Sequence, residues 1–459
     1  MGAGHEPLLN NFGYTTVEDG APLDEPVEEV TPEKEASATV FSSQINLTNT
    51  ILGAGMLALP HAFSVGGYSL GAIFLLIAGI GGGYGLHLLG VCAHSMGHRN
   101  TSYGGVADAT VPSCSGIISA AVAIKCFGVA TSYLIVIGDQ FPKVMEAQGV
   151  TGMASSREFW IILYHLAICT PLACLPKLDM LKFTSSIALC AGAYLIILVI
   201  LFAYVPELED TVPCKKDDLP QVFLPAALGS RDVDPCKEDP IAWTGKTNFL
   251  SVMSIFIFSY TCHQNIFTIH NELKINTVSN INQVVIRTVA TAVTVYTGVA
   301  VSGYILFGPA VKGDILTLYP SDQSAAGKAF TGLRVAIAFF VGLSYPLQSH
   351  PCRQSLMHLV QLCLGKPPGA IWHWGLTAGI LAGSLCIALA VTSLGMVLAV
   401  VGATASTTLC YILPGIFYCK RFEADGWTRK RISAAGMFCL GCLIVPVCLT
   451  AIFIYHASE

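Results

Sequence analysis

The sequence predicts an all-α polytopic membrane protein, built as a five-plus-five inverted repeat followed by an eleventh transmembrane helix. Composition is the first indication, because 53% of the 459 residues are hydrophobic and only 12% are charged. The second is a series of apolar runs that begins at Val40, each of roughly 20 residues and therefore long enough to cross a bilayer. The third is that the first and sixth runs are both interrupted near their midpoints, which is typical of the corresponding helices of two inverted repeats.

Residues 1–39 are predicted to form a disordered, acidic tail in the cytosol. They contain nine Asp and Glu residues against a single Lys34, so the formal net charge of −5 arises in this tail. The tail lacks the apolar stretch of a cleavable signal peptide, and the remaining sequence has no basic patch that would indicate a nucleic-acid partner. Residues 6–9 (EPLL) resemble a sorting signal for a cytosolic partner, and simple disorder is the alternative.

The membrane domain is predicted at 40–456, with repeat one at about 41–205, repeat two at about 247–418 and the extra helix at about 433–456. Its eleven spans are predicted at 41–63, 68–93, 114–141, 157–175, 182–205, 247–269, 283–307, 328–349, 371–391, 394–418 and 433–456. Lys and Arg are more frequent in the short connections on the N-terminal side of the membrane. By the positive-inside rule, this asymmetry places the N-terminus in the cytosol and the C-terminus in a lumen.

The long connection at 206–246 falls on the lumenal side and contains Cys214 and Cys236. An oxidising compartment would allow these two residues to form a disulfide, which we predict. Most other cysteines lie singly in apolar segments, where cysteine behaves as a small hydrophobic residue. Because none of them has the spacing of metal ligands, we predict neither a metal site nor a bound cofactor.

The first interrupted span is weakened between residues 46 and 60. Two asparagines three residues apart face one side of the helix, and glycines and Pro60 then remove side chains and a backbone donor. Such a break exposes N–H and C=O groups at mid-depth, which only protein or a polar cavity can satisfy. The alternative is a simple kink made by glycine and proline. The candidate binding residues in this stretch are Asn46, Asn49, Gly53, Ala54 and Gly55.

The second interruption lies in the sixth span, where the polar run 259–265 divides an otherwise hydrophobic helix. Two breaks at corresponding positions are the strongest indication of a transporter's binding site that a sequence offers. The candidate binding residues here are Ser259, Tyr260, Thr261 and Cys262.

Four motifs carry a resemblance to a known family: residues 49–60 (NTILGAGMLALP), 123–129 (AIKCFGV), 258–265 (FSYTCHQN) and 346–353 (PLQSHPCR). The first resembles the first-helix signature of the amino acid/auxin permease (AAAP) family, which includes the SLC38 transporters. The others look more specifically like fungal vacuolar amino acid transporters of the Avt5/Avt6 type. The resemblance covers about residues 40–456. It implies a LeuT-like fold and cation-coupled amino acid transport, with export from the vacuole and acidic amino acids among the substrates.

An α-amino acid offers one carboxylate and one ammonium group. The N–H groups freed by the first break, at the positive end of a half-helix, suit the carboxylate. The carbonyls of the second break, with the hydroxyls of Ser259 and Thr261, suit the ammonium. Asn46 and Asn49 either orient the substrate or coupling ion, or form hydrogen bonds between helices.

Three residues are candidates for ion coupling. Lys125 lies near mid-depth in the third span and is either an internal cation or proton carrier, or a structurally paired lysine. His263, in the second break, is either a proton relay or a satisfied polar group. Ser344 would supply the eighth-helix hydroxyl of a sodium site, but Tyr345 and Pro346 follow it and no second Ser or Thr is paired with it, which favours H⁺ over Na⁺. Three further basic residues that bracket the eighth span are predicted at the membrane interface: Arg334, His350 and Arg353.

The leading hypothesis is a secondary active transporter that moves acidic or neutral amino acids from the vacuolar or lysosomal lumen to the cytosol with protons. One alternative is a lumenal amino acid sensor, a transceptor that signals through the N-terminal tail. A second is sodium-coupled uptake at the plasma membrane. A membrane enzyme is not supported, because the sequence has no paired acid and base groups.

Overall fold

A computed structural model describes residues 36–99, 101–174, 182–205, 244 and 248–457. It confirms an all-α polytopic membrane protein, because each of the eleven predicted spans coincides with one helix or with consecutive helices. The helices of the described residues are α1 (Val40–Ile51), α2 (Gly55–Gly66), α3 (Tyr68–Ser95), α4 (Tyr103–Thr110), α5 (Ser115–Ala147), α6 (Arg157–Tyr164), α7 (Thr170–Ala173), α8 (Lys182–Tyr204), α9 (Phe249–Ser259), α10 (Asn265–Glu272), α11 (Val278–Phe307), α12 (Ala325–Leu364), α13 (Ala370–Ala390), α14 (Leu394–Val401), α15 (Leu413–Arg421) and α16 (Arg429–Ala457).

Both predicted breaks are present. The first span consists of α1 and α2, separated at residues 52–54, and the sixth consists of α9 and α10, separated at residues 260–264. Within the described ranges, seven helices are individually long and apolar enough to cross a membrane, and the broken spans contribute only shorter pieces. The inverted-repeat arrangement and the bounds of the domains remain predictions.

The tenth span departs from a regular α-helix, which the sequence did not predict. Between α14 and α15 it contains two π-helical turns, at Gly402–Ser406 and Thr408–Ile412. Gly402 permits the first of them to lie against α9, since a Cβ atom there would clash with the Ser254 carbonyl oxygen. The short helix α4, which crosses no membrane, was also not predicted.

The helices differ strongly in how much of their surface the protein covers. In α5, 78% of the most apolar window is buried inside the protein, whereas in α16 the share is 22%. The third span is therefore central, packed along α12, and the eleventh is peripheral, as expected for an addition to a ten-helix body.

The three basic residues predicted at the membrane interface are all buried inside the protein. Arg334 is 0% exposed, and His350 and Arg353 are also buried. Burial of charged groups is tolerable only with hydrogen bonds: Arg353 donates to the carbonyl oxygen of Ala173 (3.3 Å) and contacts Nδ1 of His350 (3.0 Å). The partners of Arg334 lie in the connection before α12 and are described below.

Candidate functional site

The first break is a change of backbone conformation at a glycine-containing turn. α1 ends at Ile51, and Leu52 adopts φ −73° and ψ 87°, which is not helical. The chain turns through hydrogen bonds from the Met56 N–H to the Gly53 oxygen (3.1 Å) and from the Leu57 N–H to the Ala54 oxygen (3.2 Å). Within the described part of the chain, the N–H groups of residues 53–55 have no backbone acceptor. They lie at the N-terminus of α2, where a helix attracts anions.

The second break brings polar groups into the interior. Ser259, Tyr260, Thr261 and Cys262 are all buried. The hydroxyl of Ser259 donates to the Ile255 oxygen (2.8 Å) and that of Thr261 to the Ile257 oxygen (3.0 Å). With their single hydrogens so engaged, both hydroxyl oxygens keep lone pairs that can accept from an ammonium group.

The two breaks touch each other. A Cβ atom at Gly55 would lie 2.6 Å from Oγ and 3.0 Å from Cα of Ser259, so only glycine fits there. By contrast, a Cβ atom at Gly53 would meet nothing within 4 Å. The Asn265 side chain adds a direct link by donating to the Thr50 hydroxyl (2.6 Å).

Tyr296 of α11 forms a second link between the two breaks, and no pattern in the sequence predicts it. Its hydroxyl lies 2.6 Å from the Ile51 oxygen and 2.8 Å from the Ser259 oxygen, the last carbonyls of α1 and α9. The side chain is fully buried and packs edge-on against the Tyr260 ring at 5.4 Å. A buried tyrosine hydroxyl needs a partner, but only the tertiary structure identifies these two.

The two asparagines of the first break differ in placement. Asn46 is exposed, whereas Asn49 is partly buried. The face of α1 that carries both asparagines is therefore only partly covered by the protein, and Asn49 is the nearer of the two to the break.

Lys125 is buried in α5, with 5% of its surface exposed. Its Nζ lies 3.4 Å from Oε1 of Gln348, and the described residues provide no carboxylate partner. It is near enough to Cys262 and Cys410 to interact with them electrostatically. The lysine thus lies beside the second break.

His263 is fully buried with both ring nitrogens in contact. Nε2 lies 3.1 Å from the Gly82 oxygen, and Nδ1 lies 3.2 Å from Sγ of Cys410. A carbonyl can only accept, so Nε2 carries a hydrogen and Nδ1 can accept from the thiol. This arrangement suits a neutral imidazole and favours the interpretation as a satisfied polar group.

Ser344 is buried in α12, where the neighbouring Tyr345 hydroxyl lies 2.7 Å from that of Ser384. The predicted disulfide between Cys214 and Cys236 lies outside the described residues.

Two cavities flank the breaks. One, of about 510 Å³, is named the Asp139 cavity and is lined by His61, Asp139, Ser251, Ile255, Asp314 and Ala399, among others. The second, of about 450 Å³, is named the Asn271 cavity and is lined by Ser102, Ser119, Gln264, Asn271 and His358, among others.

The cavities lie toward opposite ends of the helix bundle. Asp139 and Ser119 are twenty residues apart on α5, which corresponds to about 30 Å along an α-helix. The second break separates Ile255, at the Asp139 cavity, from Gln264, at the Asn271 cavity. The breaks therefore lie between two cavities that approach from opposite sides.

A family model described as "Transmembrane amino acid transporter protein" matches residues 36–458. This chain belongs to that family. The resemblance inferred from the motifs is confirmed, and the protein is a multi-pass membrane transporter, not an enzyme.

Several named proteins are similar over most of their length. Vacuolar amino acid transporter 5 of Schizosaccharomyces pombe is 34% identical, covering 90% of this chain and 94% of that protein. Vacuolar amino acid transporter 6 of Saccharomyces cerevisiae is 29% identical, covering 90% and 98%. Among solved structures, a Na⁺-coupled sialic acid symporter matches with a TM-score of 0.48 at 12% identity, covering 91% of this chain and 90% of that one. That structural likeness is too distant to carry an argument.

Proposed function

We propose that this protein is a secondary active transporter that exports amino acids from an acidic vacuolar or lysosomal lumen to the cytosol, coupled to protons. One observation carries the proposal: two helix breaks touch each other between cavities that approach from opposite ends. Alternating access requires a central site that each cavity reaches in turn. The names of the vacuolar relatives support the substrate class and the membrane.

The substrate site follows from the chemistry of the breaks. The free N–H groups at residues 53–55 bind the carboxylate, and the open space beside Gly53 leaves room for it. The ammonium group binds to the hydroxyl oxygens of Ser259 and Thr261 and to neighbouring carbonyls. Tyr296 holds the ends of α1 and α9 at a fixed separation, so the carboxylate and the ammonium group of one substrate molecule can be bound at the same time.

Lys125 is the coupling group in this proposal. Lys125 is buried, and no carboxylate pairs with it among the described residues, so its charge is not neutralised by a neighbouring anion there. When Lys125 is protonated, a positive charge lies beside the second break; when it is deprotonated, that charge is absent. The hydrogen bonds of His263 assign it to holding the second break against α3 and the tenth span.

Proteoliposomes test this function directly. A panel of radiolabelled amino acids would be offered under an imposed pH gradient, with and without Na⁺, while an internal dye reports H⁺ movement. We expect uptake that follows the pH gradient, needs no Na⁺ and moves H⁺ with the substrate. Uptake that requires a Na⁺ gradient and ignores pH would overturn the coupling, and failure of every amino acid would overturn the substrate class.

A second candidate function is a lumenal amino acid sensor. It is favoured by one contact: the N–H of Ala38 donates to the Glu272 oxygen (3.0 Å), and the Lys274 N–H donates to the Ala38 oxygen (2.9 Å). The end of α10 is thereby attached to the last residues of the N-terminal tail. Deleting residues 1–35 distinguishes the functions, because a transporter keeps its uptake whereas a sensor loses its cytosolic output.

A further inference from the structure

Among the contacts that attach the connection between α11 and α12, residues 308–324, two involve buried charged side chains, and the first of these is Arg334. The Arg334 side chain is 0% exposed. Its guanidinium donates to the carbonyl oxygens of Pro320 (3.0 Å), Leu316 (2.9 Å) and Tyr319 (2.7 Å). These bonds hold one side of the connection on α12.

Asp314 is the second point of attachment. It is 4% exposed, and its carboxylate accepts from the Leu316 N–H (3.0 Å) and from Nε2 of Gln140 on α5 (2.7 Å). Gln140 is itself 0% exposed, and its Oε1 has no partner within the described structure. The bond between Gln140 and Asp314 therefore holds the other side of the connection on the central helix.

This bond lies at the wall of the Asp139 cavity. Asp139 lines the cavity and is adjacent in sequence to Gln140. It forms a salt bridge with Arg157, in which Oδ1 of Asp139 lies 3.1 Å from Nε of Arg157. Gly313 packs directly against Gly395 at the start of α14. Release of the connection from α5 would therefore widen this cavity.

Several ionisable groups surround Asp314. They are Asp139 on α5, Arg157 on α6, His61 on α2, Arg334 on α12, Tyr455 on α16 and Lys312 in the connection itself. His61 also contacts the connection, with Nδ1 3.0 Å from the Val311 oxygen. Asp139 repels an ionised Asp314, and Arg334 attracts it.

We propose that Asp314 is a proton-binding site, distinct from the coupling group, and that its protonation fastens the 308–324 connection to α5 and closes the Asp139 cavity.

The direction follows from linkage. Burial raises the pKa of Asp314 to about 6, even though the Leu316 N–H, Gln140 and Arg334 all favour the anion. With the connection released into water, the carboxyl would return to its ordinary pKa of about 3.9. The attached state therefore binds the proton up to about a hundredfold more tightly. Attachment is strongest below the ordinary pKa and is lost as the pH rises through about 6.

Gln140 can serve both states of the carboxyl group. A carboxamide presents a donor on one side and an acceptor on the other. Rotation of the side chain would direct its unpartnered Oε1 to the hydroxyl of a protonated Asp314. The link to α5 therefore survives protonation, while the cost of burying a charge beside Asp139 disappears.

The physiological meaning rests on the proposed function. If the N-terminus is cytosolic, the C-terminal end of α5 faces the lumen, and so does the Asp139 cavity. Lumenal acid would then close this cavity over a loaded substrate, which is the step that must precede release to the cytosol.

Accessibility of a buried cavity residue tests the site without any gradient. Ala399 lines the cavity and is 4% exposed, whereas Thr392 lines it and is exposed. Ala399→Cys and Thr392→Cys proteins would be labelled with an impermeant maleimide from pH 5 to 7.5, with labelling quantified at each position by peptide mass spectrometry. The ratio of labelling at position 399 to labelling at position 392 cancels the intrinsic pH dependence of the thiol reaction, which is common to both positions. We expect it to rise by about tenfold between pH 5 and 7.5 with a midpoint near 6, because the rest of the hundredfold linkage lies below pH 5.

Variants of the link identify the group responsible. In an Asp314→Asn background, which mimics the protonated state, we expect a low ratio at every pH. Gln140→Met removes the donor to the anion, so we expect more labelling than in the unmodified protein at neutral pH. These opposite directions separate the proposal from misfolding, which would increase labelling in both. Asp322→Asn is the matched control, because this exposed carboxyl of the same connection has a lowered pKa and stays ionised throughout.

Two results would overturn the proposal. One is a pH-dependent rise that persists in the Asp314→Asn background, and the other is a rise that His61→Gln removes while Asp314→Asn does not. Because labelling needs neither substrate nor H⁺ flux, its failure is distinguishable from a failure of proton coupling, which the internal pH dye reports.

Discussion

The two helix breaks interrupt their spans by different means. The first, at residues 52–54, offers mainly backbone, since Gly53 lies within it, Gly55 follows it and the N–H groups of residues 53–55 lack backbone acceptors in the described part of the chain. The second, at residues 260–264, buries the side chains of Tyr260, Thr261, Cys262 and His263. In the proposed function this difference divides the tasks: the backbone N–H groups of the first break bind the carboxylate, and the second break binds the ammonium group beside the coupling lysine.

The largest expected effect concerns the point where the breaks touch. In Gly55→Ala, the new methyl group would lie 2.6 Å from Oγ of Ser259. We expect transport to fall to the level of empty liposomes and stability to fall by about 1–3 kcal/mol from overpacking. Gly379→Ala on α13 is the matched control, since its methyl group meets nothing within 4 Å and the residue lies outside both breaks. Equal activity of the two variants in uptake assays would refute the close contact.

The next effect separates coupling from transport at the second break. Lys125→Gln removes the titratable group, and Lys125→Arg fixes the charge because arginine stays protonated. We expect both variants to lose accumulation driven by a pH gradient while retaining counterflow exchange, which needs no net proton movement. If Lys125→Arg still accumulates substrate in response to a pH gradient, a group other than Lys125 carries the proton.

Tyr296→Phe tests whether the breaks act as a unit. The substitution leaves the Ile51 and Ser259 carbonyl groups without their buried donor, a loss of about 1–3 kcal/mol. We expect a lower melting temperature and a raised KM for every amino acid. Tyr319→Phe is the control, because the hydroxyl of that buried tyrosine has no partner among the described residues. A raised KM for only some substrates would place Tyr296 in side-chain selection instead.

The smallest effect is expected at the outer edge of the first break. Asn46 is exposed, so Asn46→Ala should change stability by less than about 0.5 kcal/mol and leave KM nearly unchanged. Asn49→Ala, nearer to the break, should raise KM measurably. If the two variants behave alike in dose-dependent uptake, the asparagines do not orient the substrate.

The spans and both breaks were predictable because their signals are local. A run of about 20 apolar residues is sufficient to predict a span, and glycine, proline or polar runs within it mark a break. Tyr296, Gln140 and Asp314 were not predictable as a set, because their partners are up to 245 residues away in sequence. The burial of Arg334 was not predictable for a related reason: a charge near a helix end suggests an exposed side chain, and only the folded connection supplies its three carbonyl partners.

The two π-helical turns of the tenth span give that helix a freedom that a regular α-helix lacks. Each wide turn accommodates one residue more than an α-helical turn, and such an insertion can pass to a neighbouring turn with few hydrogen bonds exchanged. Moving it past Cys410 would rotate the following side chains by about 100° and withdraw the thiol from His263. Residues 402–412 thus allow α15 to rotate about its axis beside the second break without any change in the length of the span.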